Sequence, residues 1–228
     1  MTRPQPGPPP AGPWVRAWLG GPRHDVYLAG AGGDEERALA VYEWNAQLGA
    51  ALFRDLAHVE VALRNSYDAA LSARWGGPGH WSAAGPVLFA PLYRRHGSGR
   101  VDINSKQRDA LARAVVKAGG PGVPPGKVIA ELMFGFWRYL SSAAHEKALW
   151  VPYLYPAFRA GTDRRTVDAA VGRLHDVRNR VAHHEHLLGT DVAGRYADCV
   201  LITELISTDL ARHLQATTHV PDLLGSRP

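Results

Sequence analysis

From Asp34 to Trp75 the chain runs without a single proline, and along it Leu48, Leu52, Leu56, Val59, Leu63, Tyr67 and Leu71 recur at spacings of three or four. That is the period of one apolar stripe on a long helix. Asp34-Glu35-Glu36 supply an acidic N-cap and first turn suited to the helix dipole, and Gly76-Gly77 supply the stop. Gly49, or the stretch from Tyr42 to Asn45, is where such a helix would break in two.

The remaining sequence reads as more helices to cover that stripe. Asn104 or Ser105 caps a helix running to Ala118, with Leu111 and Val115 turned inward and Lys106, Arg113 and Lys117 along a cationic face. Val128 to Leu140 is apolar almost all round, as a helix at the centre of a bundle must be, with Gly135 at a close crossing. Thr162 or Asp163 opens the next helix, whose stripe is Val167, Ala170, Val171, Leu174, Val177 and Val181 and whose end is assigned to Gly189. A last helix spans about Val192 to Leu214, with Val192, Tyr196, Cys199, Thr203, Ile206 and Leu210 on one seam. No segment alternates convincingly as a strand, so the expected class is all-α, a bundle of about five to seven helices around one core. The connection from Gly76 to Gly99 carries no readable structure.

Composition narrows the function classes. With 46% hydrophobic and 21% charged residues and seven Trp, the chain is neither fibrous nor wholly disordered. Residues 1–13 hold six prolines and no apolar stretch, which predicts a disordered lead rather than a signal or anchor, with a single domain over residues 14–228. Val128 to Trp137 and Val200 to Ile206 are too short for the ~20 apolar residues of a membrane span. Cys199 is the only cysteine, so no intramolecular disulfide and no thiolate cluster can form; a reducing, cytoplasmic location follows as the expectation. The formal charge of +5 rests mainly on arginine, which permits an anionic partner. Between Pro91 and Lys127 eight Lys/Arg face two Asp, a local excess larger than that of the whole chain. Through Arg94, Arg95, Arg100, Lys106, Arg113 and Lys117 this segment would track an RNA backbone; a solvated helix face is the plainer alternative. Trp75, Trp81 and Tyr93 would either stack bases or anchor their loop to the core.

The densest polar constellation is His175 to His186, with four of the eleven histidines. At ~100° per residue Arg178 falls on the apolar stripe between Leu174 and Val181, while His175, Asn179, His183 and His186 gather on a neighbouring face. A guanidinium there needs an anion, from the fold or from a ligand. Glu60, at the edge of the long helix's stripe and one turn before Arg64, is a candidate partner, either as a structural ion pair or as part of a site. His183 and His186 have the spacing of two zinc ligands, with His175 or Asp191 as a third, but His184-Glu185-His186 lacks the order of a zinc protease. No Gly-x-Ser-x-Gly nucleophile context and no phosphate loop is present.

The run Arg178-Asn179-Arg180-Val181-Ala182-His183-His184 resembles the Arg-x4–6-His motif of the HEPN superfamily, in the form seen in Abi-like (abortive infection) proteins. Three upstream runs, Tyr42 to Asn45, Leu56 to Asn65 and Phe134 to Leu140, are similar to other blocks of that family, and the resemblance spans roughly Asp34 to Leu210. It implies a HEPN-like bundle, metal-independent and cofactor-free ribonuclease activity in phage defence or as a toxin, a homodimer that brings two motifs together, and in some settings an antitoxin partner. Arg178, Asn179 and His183 would then be catalytic, with Glu60 and Arg64 as support and Lys106, Arg113 and Lys117 on the RNA. A non-catalytic module that binds RNA, a nucleotide or a partner protein is the alternative, and a purely structural bundle the third.

Overall fold

A computed structural model describes residue 7, residues 9–97 and residues 99–228. Helices hold 71% of the residues against one two-stranded sheet, so the class is all-α. Among the described residues there are eleven α-helices and one π-helix, more than the five to seven expected, because two expected helices are each cut in two and short helices form where none was expected.

Helices α1 (Pro13–Leu19) and α2 (Gly21–Gly30) lead into α3 (Glu35–Arg74), the axis of the molecule. Residues 1–6 and Pro8 of the proline-rich lead lie outside the described residues; Ala11 N–H donates to Glu36 Oε1 at 2.7 Å and Trp14 Nε1 to the Pro10 carbonyl at 2.9 Å. The Asp34 carboxylate caps α3 by accepting from Arg37 N–H at 2.9 Å. At 1.5 Å per residue α3 is ~60 Å long, and its whole apolar stripe from Leu48 to Leu71 is buried. It is not broken at Gly49 or at Tyr42 to Asn45. Gly49 packs instead on Val181 and Leu187, and Asn45 Oδ1 accepts from Leu187 N–H at 2.7 Å, so both mark the crossing with the chain's second half.

The connection after α3 folds back over the core. A 3-10 turn at Trp81–Ala83 and the short α4 (Gly85–Leu88) bury Trp81 and Phe89 completely, and Trp81 Nε1 donates to Asp68 Oδ1 at 2.7 Å. Trp81 stacks on Phe136 within the core, so it anchors the loop and is closed to a base. Against the expectation of no strand, β1 (Tyr93–His96) and β2 (Gly99–Asp102) form an antiparallel hairpin with Tyr93 opposite Asp102 and Arg94 opposite Val101. Two four-residue strands in which four of the eight residues are charged leave no apolar alternation to read.

The hairpin runs into α5 (Ser105–Ala118), which ends at a left-handed Gly119. The expected helix from Val128 to Leu140 is two helices, α6 (Pro125–Ala130) and α7 (Phe134–Leu140), separated by an extended Met133. A 3-10 turn, a π-helix (Glu146–Leu154) containing Pro152 and a further 3-10 turn lead to α8 (Arg164–Ala182), capped by Asp163 on Thr166 N–H. Gly189 does not end α8; it forms the turn before α9 (Val192–Ile206). The expected last helix is also cut. Ser207 is extended, ending α9 and capping α10 (Thr208–Thr217) through its hydroxyl, and α11 (Val220–Gly225) closes the fold on α3. There Trp44 Nε1 donates to the Leu223 carbonyl at 2.6 Å and the wholly buried Asp55 accepts from Thr218 Oγ1. Among the described residues no helix is long and apolar enough to cross a membrane.

Candidate functional site

Helix α8 buries Val167, Ala170, Val171, Leu174 and Val177 against α3 and α9, which leaves His175, Arg178 and Asn179 half-buried beside that seam. Asn179 Nδ2 donates to His175 Nε2 at 3.3 Å, and Arg178 Nη1 donates to Asn179 Oδ1 at 3.4 Å, so the three side chains form one chain of contacts. The His175 ring lies 6.0 Å from that of Phe134, and its Nε2 is so close to Gly135 that a Cβ there would stand 3.3 Å away. Burial holds the His175 pKa below the usual histidine range; Asp176, with Oδ1 3.6 Å from Nδ1, offsets this in part, while the charges of Arg138 and Arg178 add to it. His175 is therefore a neutral imidazole at neutral pH, with Asn179 holding its Nε2.

The α7–α8 crossing beneath this group is built on two glycines. Gly135 of α7 makes room for His175 of α8, and Gly172 of α8 makes room for Arg138 of α7, whose Nη1 donates to Asp168 Oδ1 at 2.6 Å. Arg164 reaches the same Asp168 and the Ser141 carbonyl, fixing the start of α8 to the end of α7.

From α3, Glu60 and Arg64 face the same place. Burial pushes the Glu60 carboxyl above the usual carboxylate range, against the pull of the Arg178 and Arg64 guanidinium groups and the Phe134 N–H. Among the described residues neither arginine makes a direct ion pair with Glu60; both act on it through their charge. Arg64 Nε and Arg178 Nε are both buried without an acceptor. A buried donor left unpaired costs about 1–3 kcal/mol, and here two cationic ones surround one reluctant carboxylate.

His183 stands apart from this cluster. Helix α8 closes on a Schellman turn, with His184 N–H on the Val181 carbonyl at 3.0 Å and Glu185 N–H on the Arg180 carbonyl at 2.9 Å. His184 occupies the left-handed position usual for glycine, at φ 54°. Arg180 fixes the turn: its Nε donates to the His186 carbonyl at 2.9 Å and its Nη2 lies 3.5 Å from Glu185 Oε2. His183 completes the last turn through its N–H on the Asn179 carbonyl, but its side chain is exposed and, among the described residues, makes no hydrogen bond. Thus Arg178 and Asn179 are brought together, Glu60 and Arg64 are brought within electrostatic reach, and His183 is left in solvent. His184 lines a cleft of about 720 Å³ between α2, α3 and the end of α8, with Tyr27, Tyr42 and Phe53. Among the described residues no three of His, Cys, Asp and Glu gather as a metal-ligand set, and His175, His183, His186 and Asp191 do not converge.

Lys106, Arg113 and Lys117 lie on the exposed face of α5, along a second cleft of about 330 Å³ between α5 and α7. Lys117 approaches Glu131 at 3.8 Å, whereas among the described residues Lys106 and Arg113 have no acidic partner. Gly135 lines this cleft and also abuts His175, so only the backbone of α7 separates the cationic cleft from the His175–Asn179–Arg178 group.

No family model, no curated protein and no solved structure matches the chain. His175 was legible only as one of four clustered histidines; its i, i+4 spacing to Asn179 is the signal that marks it. Arg138 gave no such signal, because its role depends on where α7 crosses α8; Gly135, expected at a close crossing, stands at this one against His175.

Proposed function

We propose that the chain is a metal-independent endoribonuclease of the Abi-like HEPN kind, acting in the cytoplasm in phage defence or as a toxin. The observation that carries the reading is the buried Nε donors of Arg178 and Arg64, both without acceptors and both in electrostatic reach of Glu60, with Arg178 joined through Asn179 to the half-buried His175. A scissile phosphate is the anion these donors lack. In the proposed reaction the ribose 2′-oxygen attacks phosphorus, its proton passes to a histidine, and the 5′-oxygen leaves with a proton from a second donor. The products are a 2′,3′-cyclic phosphate and a 5′-hydroxyl end. The nucleophile is the substrate's own hydroxyl, so the residues need only orient phosphate, stabilise its charge and move two protons. Arg178 with Arg64 would hold the phosphate, Asn179 would orient the imidazole, and His183 and His175 would divide the proton transfers. Lys106, Arg113 and Lys117 would bind the flanking strand.

Because His183 is exposed at the end of α8 and not joined to Arg178, a second copy of the chain is the natural source of the missing half, which supports a homodimer. The same separation favours the second reading, a module that binds RNA, a nucleotide or a partner such as an antitoxin without cutting. Incubation of total cellular RNA and tRNA in EDTA with wild type and with folded His183→Ala separates the two. Cutting by wild type alone, with cyclic phosphate ends, supports the nuclease; retention of RNA on a filter without cutting by either supports the binding module.

A further inference from the structure

Helix α5 turns Asn104, Gln107, Leu111 and Ala114 inward. Asn104 is satisfied, its Nδ2 donating to the Ala90 carbonyl at 2.8 Å and its Oδ1 lying 2.6 Å from His145 Nε2. Gln107, one turn later, is 6% exposed, and its Oε1 is buried with no partner. It lines the 330 Å³ cleft. A buried amide oxygen without a donor is a rare and costly arrangement in a folded chain, and the side chain that carries this one lines the cleft.

The rest of the cleft has the character that a nucleotide requires. Its floor is Leu132, Phe136 and Ala114, all buried, and its walls are Met133 and Tyr139, which are 63% and 47% exposed. The rim carries Lys106 and Arg113, free of acidic partners among the described residues, and Lys117, which lies 3.8 Å from the Glu131 carboxylate of the same rim. Flat apolar walls, one buried acceptor and a cationic edge match a base, its amine and its phosphate. The volume is at the small end of ligand clefts, roughly 300–1,000 Å³, and suits a single unit.

We propose that this cleft binds one nucleotide, with the base against Phe136 and Tyr139, an exocyclic amine donating to Gln107 Oε1, and the phosphate on Lys106 and Arg113. Adenine, cytosine and guanine present a projecting amine that Oε1 accepts from directly, whereas uracil is held only where Gln107 Nε2 donates to its carbonyl at the same time. The nucleotide comes either free or as part of an RNA strand; only the second source rests on the ribonuclease reading.

The test is calorimetric titration of the full chain with AMP, CMP, GMP, UMP and a short oligoadenylate, using wild type, Gln107→Met and Lys106→Ala/Arg113→Ala, each checked for helicity by circular dichroism. Wild type binds the three amine-bearing nucleotides. Gln107→Met weakens each of them about fivefold, the worth of one hydrogen bond. The double variant weakens all four alike, and more so at low salt. Oligoadenylate binding that depends on Gln107 while AMP stays silent supports the proposal with the strand as source. Equal binding of every probe by wild type and Gln107→Met, or no binding of any probe, overturns it. RNA cleavage distinguishes the two readings: cleft binding that persists where wild type cuts no RNA sinks the nuclease alone, and cutting that persists without cleft binding sinks the cleft alone.

Discussion

His175 within α8 and His184 just beyond its end are under opposite constraints, one on the side chain and one on the backbone. Burial lowers the pKa of His175 from the ordinary 6.5, so the unfolded chain takes up this proton more readily than the folded one. Stability from this group is complete above pH 6.5 and is lost as the pH falls through 6.5 toward the folded value. Melting temperatures measured from pH 7.5 down to pH 5 should fall less steeply for His175→Gln than for wild type. Part of the slope remains, because burial lowers the His145 pKa in the same direction; parallel curves would show that His175 is not held neutral. His184 presents the opposite case, a side chain whose backbone is strained. At φ 54° it occupies the position where glycine has no Cβ penalty. His184→Gly should stabilise the fold by about 1 kcal/mol, or about 2–4 °C for a chain of this size, and leave RNA cleavage unchanged. A lower melting temperature would mean that the imidazole makes a contact that outweighs the strain.

At the level of elements, glycine has two different meanings in this bundle. Gly49 lies in the interior of α3, and a Cβ there would meet Val181 Cγ1 at an ordinary 3.7 Å. Gly49→Ala should therefore raise stability by roughly 0.5–1 kcal/mol, as in any helix interior with room for the methyl. At Gly135 the Cβ would press on His175 Nε2 at 3.3 Å. Gly135→Ala should displace the imidazole and weaken RNA cleavage severalfold more than it shifts the melting temperature; unchanged cleavage would remove His175 from the proposed chemistry. The sequence made α3 legible from its stripe and Asp34 cap, and Asp163 as the start of α8, because period and capping are local. It missed the breaks at Met133 and Ser207 for an equally physical reason. Apolar periodicity continues across both, and only the bend that lets α7 cross α8, or α10 fold onto α9, interrupts the backbone. Gly189 carried a stop signal that His184 had already supplied. Of the site, Arg178 at the stripe edge and Asn179 one residue on were readable from helical angle alone. The neutral state of His175 and the orphaned Gln107 oxygen were not, since each depends on what the fold packs around it from elsewhere in the chain.

For the whole molecule the decisive question is whether the proposed site is completed within one chain. Arg178 sits half-buried against α3, and His183 points into solvent from the helix end, about 140° further round α8. If the two act on one phosphate across a homodimer, each site takes Arg178 from one chain and His183 from the other. Arg178→Ala and His183→Ala are then each inactive alone, but mixing them restores one intact site per mixed dimer. With random exchange, half the dimers are mixed and each carries one working site of two, so roughly a quarter of wild-type cleavage should return. The readout is the rate of cyclic phosphate formation after the two variants are co-unfolded, refolded together and compared with each refolded alone. Arg178→Ala must also be shown to retain its helicity, since it exposes Glu60 to a weaker cationic field. Recovery near a quarter fixes both the dimer and the division of labour. Wild-type cleavage without any recovery would place Arg178 and His183 in one chain's site, whereas cleavage retained by His183→Ala alone would transfer its role to His175, the imidazole already linked to Arg178 through Asn179.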